Sequence, residues 1–184
     1  MPPIHFTINQ HFMKIILIGY MGSGKSTVAK ELAAALSLPF IDLDDYIVDK
    51  EKKSIKDIFE AKGEIYFRLQ ESKYLKEILE QETDAVLALG GGTPCYANNM
   101  ELIKKESQSF YLKGGIATIC NRLRSEKQQR PLIASLSDEQ LTEFVAKHLF
   151  ERRNFYEQAD QSISIDNKSI HELLQELLVK VKKN

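Results

Sequence analysis

Cysteine is scarce. The 184 residues contain two, Cys95 and Cys120, with no CxxC spacing and no paired histidines nearby. That pattern argues against a zinc site or a disulfide framework and suits two free thiols in a reducing compartment. Excess charge is missing too: 25 Lys and Arg stand against 26 Asp and Glu, a formal net charge of −1. No overall field draws nucleic acid or an anionic membrane, so neither is expected as a partner. Any anion must be recognised by a local basic cluster. No apolar run is long enough to cross a bilayer. The opening "MPPIHFTINQHF", residues 1–12, lacks the basic start and apolar stretch of a signal peptide. It is expected to be a disordered extension ahead of Met13, and the protein is expected in the cytoplasm. There is no internal repeat and no low-complexity linker. With 43% hydrophobic and 28% charged residues, the remainder reads as one globular domain, 13–184.

Short β-branched or apolar runs recur at 14–19, 39–44, 85–90, 109–113 and 162–166. Segments with helical periodicity separate them, at roughly 25–36, 54–81, 97–106, 115–125, 137–158 and 168–182. Strands alternating with helices predict an α/β fold with a mostly parallel sheet covered on both faces. The stretch 121–135, "NRLRSEKQQRPLIAS", is polar, basic and weakly periodic, and reads as a surface loop.

"GYMGSGKST", residues 19–27, follows the apolar "KIILI" and precedes an apolar helix. It fits G-x-x-x-x-G-K-[ST] in the strand–turn–helix context that this motif requires. Glycines let successive backbone N–H groups point around a phosphate, and the helix N-terminus adds partial positive charge. Lys25 then bridges the β- and γ-phosphates, and the Ser26 hydroxyl is positioned to ligate Mg²⁺. The turn is predicted to hold a nucleoside triphosphate.

In "FIDLDDY", period-2 alternation would send Asp42 and Asp44 to one side of a strand end. In open parallel sheets that C-terminal edge is where ligands sit. One carboxylate could hold a metal-bound water there and the other accept a proton from a substrate hydroxyl. The plainer alternative is helix capping, with Asp45 the expected cap.

On a helical wheel of "GEIYFRLQESKYLKEIL", Arg68 falls within the arc of Ile65, Leu69, Leu75 and Leu79. Glu71, three residues on, is close enough to pair with it. The helix "SDEQLTEFVAKHLFERRNFYEQA" opens with Ser137 and Gln140 spaced as a capping box. Arg152 lies near the middle of its apolar arc and Arg153 outside it, while the inward His148 reads as a packed core residue. An inward guanidinium needs an anionic partner. Two of them suggest a shared anion such as a substrate carboxylate, with an internal Arg68–Glu71 bridge compatible with that reading.

"LALGGGTP" puts Gly90, Gly91 and Gly92 after the third apolar run. Triple glycine marks either a tight turn or a close approach to a ligand. In the 121–135 stretch, Arg122, Arg124, Lys127 and Arg130 form a basic run, either simply solvated or a lid over a phosphate site.

Taken together, "GYMGSGKST", "FIDLDDYI", "GEIYFRLQE", "LGGG", "RPLI" and "ERRNFY" resemble the shikimate kinases in order and spacing, from Met13 onward. The resemblance implies a five-stranded parallel sheet of order 2-3-1-4-5 with a lid at about 121–135. It implies ATP-dependent phosphorylation of the shikimate 3-hydroxyl, on the way to chorismate, by a monomer using Mg²⁺. By the same likeness Gly22, Ser23, Gly24, Lys25, Ser26 and Thr27 cradle the nucleotide, and Asp44 is the base. Ser26 and Asp42 attend the metal. Arg68 and Arg152 grip the carboxylate beside Gly90–Gly92. Arg130 covers the phosphates, and Arg124, in preference to Arg122, meets adenine. The family's usual Pro-Leu before the last tyrosine is Asn154-Phe155 here. Rival readings are a gluconate or nucleoside monophosphate kinase, or a nucleotide-binding module without an acceptor.

Overall fold

The run "KIILI" is buried at all five positions, which only a strand flanked on both edges and both faces achieves. It forms β1 (Lys14–Ile18), the middle strand of a sheet ordered β2-β3-β1-β4-β5, with β2 Phe40–Asp42, β3 Ala85–Ala88, β4 Gln108–Lys113 and β5 Gln161–Ser164. All four pairings are parallel, as the expected order requires. The computed structural model describes residues 13–130 and 132–181; the expected extension at 1–12 lies outside the described residues, as does Pro131 of the lid.

Seven α-helices accompany the sheet among the described residues: α1 Lys25–Leu36, α2 Leu43–Glu51, α3 Ile55–Leu79, α4 Asn99–Glu106, α5 Ile116–Glu126, α6 Asp138–Tyr156 and α7 Ile170–Lys180. The core they close is continuous. Ile16, Leu87 and Phe110 from the sheet are fully buried with Leu32, Ile78 and Leu177 from the helices. The predicted capping box of α6 is formed, Ser137 Oγ accepting from the Gln140 amide and Gln140 Oε1 from the Ser137 amide. A second box at Ser169 and Glu172 starts α7, a signal present in "SIHE" that the periodicity reading passed over.

Four expectations need correction. The second strand ends at Asp42, so Asp42 and Asp44 are not brought together by strand alternation. Asp42, not Asp45, is the N-cap of α2, its Oδ1 accepting from the Asp44 amide at 3.0 Å. On α3, Ile65 and Leu69 are 80% and 63% exposed and do not define a core arc. The buried face of this segment runs instead through Phe67, Glu71, Tyr74, Leu75 and Ile78, and Gly63 (φ 79°, ψ 173°) kinks the helix just ahead of it. Finally, 121–135 is not a loop throughout. Its first six residues continue α5 to Glu126, and a short 3₁₀ turn follows at Lys127–Gln129.

The sheet's topology places the site. Chain order reverses at β1, whose neighbours are β3 and β4. The segments leaving the C-terminal ends of β1, β2 and β3 therefore open onto one crevice.

Candidate active site

Between β1 and α1 the backbone takes positive φ at Gly19 (148°), Gly22 (78°) and Gly24 (86°). Gly24 is the N-cap of α1 and supplies no side-chain cap, so the first amides of the helix are left for an anion. Lys25, itself buried, donates from Nζ to the Tyr20 carbonyl at 2.9 Å and lies 3.5 Å from Ser23 Oγ. Burial pushes its ammonium down to about 8, although Asp44 and Asp42 pull the other way. An ammonium short of counter-charge at the mouth of an amide cradle is a receptor for polyanions.

A cleft of about 540 Å³ opens over this loop, and Gly22, Gly24, Lys25, Ser26 and Thr27 line it. Ser23 is wholly buried beneath. Asp42 and Asp44 form one wall, with Gly90 and Gly91 beside them. Ser26 Oγ donates to Asp42 Oδ2 at 2.6 Å, so a hydroxyl and a carboxylate, both hard oxygen donors, stand together where a phosphate would enter. Among the described residues no group of three or more His, Cys, Asp or Glu gathers into an all-protein metal cage. Half-buried Asp44 is pushed up to about 6, first by burial, then by the charges of Asp42 and Glu71, with Lys25 and Arg68 opposing. Near neutral pH such a group is ionised yet basic enough to take a proton.

The glycine turn after β3 is where the distant residues meet. A methyl on Gly90 would stand 3.2 Å from Asp44 Oδ1 and 3.2 Å from Glu71 Oε1; one on Gly91 would stand 3.4 Å from Arg152 Nη1. On Gly92 it would strike the Arg68 guanidinium, 2.7 Å from both terminal nitrogens. Close approach, not backbone strain, is why Gly92 is glycine, since its φ of −88° suits any residue.

The two arginines arrive differently. Arg68 Nη1 donates to Glu71 Oε2 at 2.8 Å, and its Nε lies 3.5 Å from Glu64 Oε1. Glu71 is fully buried and also accepts from Thr93 Oγ1 at 2.7 Å. Arg152 has no carboxylate within 4 Å among the described residues. Its guanidinium lies over the Tyr20 ring, 5.5 Å from the centroid, and near the Tyr156 hydroxyl, which donates to the Gly91 carbonyl. Arg153 faces solvent and pairs with Glu157 at 2.8 Å, as the wheel required. His148 packs inward against Phe144 and bonds the Tyr20 hydroxyl.

Arg130 lines the cleft, held through Nε on Glu126 Oε2 at 2.9 Å. The structure places Arg122, not Arg124, at the cleft. Arg124 is exposed and paired with Asp138 at 3.1 Å, whereas Arg122 lines the cleft and donates to the Ser23 carbonyl at 3.1 Å. On α5, whose buried face includes Ile119 and Leu123, residue 122 points at the phosphate loop. Reading the segment as a loop hid that periodicity. Lys168, Ser169 and Ile170 also line the cleft.

Known proteins resemble this chain in sequence and fold. A family model described as shikimate kinase matches residues 21–182. A curated shikimate kinase from Flavobacterium johnsoniae is 48% identical over 166 residues, 90% of this chain and 96% of that protein. The crystal structure of shikimate kinase from Bacteroides thetaiotaomicron superposes with a TM-score of 0.85 at 36% identity, covering 92% of this chain and 99% of that one. An Acinetobacter baumannii shikimate kinase solved in complex with shikimate gives 0.80 at 33% identity, covering 91% of each chain.

Proposed function

The chain belongs to the shikimate kinase family, and from that premise we infer that it transfers the γ-phosphoryl group of ATP to the 3-hydroxyl of shikimate. The observation that carries this reading is the convergence of Arg68 and Arg152 on the Gly91–Gly92 turn, beside Asp44 and across from the phosphate loop. A monoanionic, hydroxyl-bearing ring matches two cations and one base better than a phosphate monoester or a neutral sugar does.

In this reading the loop amides and Lys25 bind the nucleotide's phosphates, whose charge restores Lys25 to its full ammonium form. Arg68 and Arg152 hold the shikimate carboxylate and so set the ring's 3-hydroxyl beside Asp44. The oxygen attacks the γ-phosphorus, the bond to the bridging oxygen breaks, and ADP leaves. Asp44 takes the hydroxyl proton as the new O–P bond forms. Arg130 lets go of Glu126 to reach the transferring group, and the segment after α5 closes over it as a lid. Ser26 and Asp42 are the donors that would hold Mg²⁺, one directly and the other through water; when bound, that ion neutralises phosphate charge. Arg122 borders the base. The reading includes a monomeric, cytoplasmic enzyme on the route to chorismate. No described helix is long and apolar enough to cross a membrane.

The test is coupled ADP release with ATP and Mg²⁺ against shikimate, gluconate and nucleoside monophosphates. Turnover with shikimate alone is expected. Turnover only with gluconate or a nucleotide, or ATP binding without acceptor-dependent release, overturns the reading.

A further inference from the structure

Tyr20 sits inside the phosphate loop, yet its side chain serves another part of the site. Its ring is wholly buried, and its hydroxyl shares a 3.0 Å hydrogen bond with His148 Nδ1 on α6. The two rings meet edge-on, with centroids 6.0 Å apart, and Phe144 backs the imidazole at 4.1 Å. One helical turn beyond His148, on the same face, Arg152 lays its guanidinium over the Tyr20 ring. The same residue's carbonyl accepts from Lys25 Nζ at 2.9 Å and from the Ser23 amide at 3.2 Å. One side chain is thus gripped at its tip by α6, lies beneath Arg152, and carries on its own backbone the acceptor of the phosphate-binding lysine.

We propose that Tyr20 and His148 are positioning residues for Arg152: the ring holds the guanidinium in place of a carboxylate, and His148 locks the ring. The chemistry favours an aromatic here. A protein carboxylate would neutralise Arg152 and compete with the acceptor's own, as Glu71 partly does for Arg68. An aromatic face attracts the cation and leaves its N–H groups free to donate to a ligand. The Tyr156 hydroxyl, held on the Gly91 carbonyl, stands near the guanidinium without adding charge. This inference rests on the reading of Arg152 as a carboxylate ligand, and the experiment separates the two.

Steady-state kinetics of Tyr20→Leu, Tyr20→Phe, His148→Leu and Arg152→Ala, with the Tyr20→Leu/Arg152→Ala double variant, decide it. ADP affinity by calorimetry checks that the phosphate loop survives in each. Tyr20→Leu is expected to raise the KM for shikimate about five- to tenfold while ADP affinity holds. Tyr20→Phe and His148→Leu each remove only the lock, and both should give about a twofold rise. In the Arg152→Ala background, Tyr20→Leu should add nothing, because it acts through that arginine. Additive effects, an unchanged shikimate KM in Tyr20→Leu and His148→Leu, or a defect confined to nucleotide binding overturns the proposal while leaving Arg152 in its role. An unchanged shikimate KM in Arg152→Ala overturns the role itself, and the proposal with it.

Discussion

The phosphate end and the acceptor end of the site are built by opposite means. The phosphate end comes from one unbroken stretch, Gly19–Thr27, in which the backbone supplies most of the donors and only Lys25 contributes a charge. The acceptor end comes from three separated places, with Asp44 at the start of α2, Arg68 on α3 and Arg152 on α6, and its charges meet only over the glycine turn after β3. A contiguous backbone cradle tolerates much as long as the strand and helix hold its ends. A convergent constellation depends on each side chain separately, and on what each was paired with before a ligand arrived. The first end should therefore fail all at once, and the second piece by piece.

The largest effects should come where the two ends touch. Lys25→Ala is expected to cut kcat by about 10²–10³-fold or more, as for loss of one preorganised donor to a charged transition state, with the fold intact by circular dichroism. Near-normal turnover would break the claim that the cradle depends on this one charge. Asp44→Asn should cost about 10²–10⁴-fold, the usual scale for a general base. In the parent protein Asp44 titrates near 6, above its ordinary 3.8. It is protonated below that pH, so kcat/KM for shikimate should fall below about pH 6 and the residual rate of the Asn variant should not. Linkage gives a second check with its own sign. Between about 4 and 6 the folded state binds more protons than the unfolded, so this group's contribution to stability is lost as pH rises through the window. The Tm of Asp44→Asn relative to the parent should therefore climb from pH 4 to pH 7. A flat difference would mean that Asp44 is not held at about 6.

The two arginines sharpen the comparison within the acceptor end. Arg68 has Glu71 and Glu64 as partners, and Arg152 has the Tyr20 ring and no carboxylate within 4 Å among the described residues. Arg152→Ala is expected to raise the shikimate KM more than about tenfold, the scale of a lost charge-assisted bond, at little cost to Tm. Arg68→Ala should raise KM as well, and also lose on the order of 3 kcal/mol of stability because it strands the buried Glu71. Urea melts of the two variants distinguish them; equal stability losses would mean that Arg68 is not the more structural of the pair. Arg153→Ala should change neither. Next in size is Gly92→Ala. The nearest atoms its methyl would meet are the guanidinium end of Arg68, so Tm should hold while the shikimate KM rises by roughly threefold, under a kcal/mol of misplaced binding. A drop in Tm without a KM change would show that the glycine serves the turn alone.

Legibility followed the same division. The strands, the parallel order and the phosphate cradle could be read because periodicity and a contiguous motif carry them, and the inward placing of Arg152 and outward placing of Arg153 followed from the α6 wheel. At the acceptor end the wheel on α3 picked Arg68 for a partly mistaken reason. Ile65 and Leu69, which framed its arc, are exposed, and the buried face runs through Phe67, Glu71 and Tyr74. The Asp42–Asp44 pairing was also anticipated by the wrong route, since a cap and not a strand brings them together. The contacts of Tyr20, Thr93 and Tyr156 left no mark in local pattern, because each partner lies in another element.

The smallest predicted effect falls on the two arginines of α5. Arg122 and Arg124 are two residues apart on α5, which turns them about 200° from each other, so at most one can face the phosphate loop. Arg122 does, donating to the Ser23 carbonyl and bordering the cleft. Its replacement by alanine should raise the KM for ATP a few-fold, about 1 kcal/mol for one hydrogen bond to the loop, and leave shikimate binding alone. Arg124→Ala removes a solvent-exposed pair with Asp138, a contact worth about 0–1 kcal/mol of stability, and should not change the KM for ATP. If the two variants exchange these outcomes, α5 must turn or unwind when nucleotide binds, and the helical continuation through Glu126 would belong to the open form of the lid only.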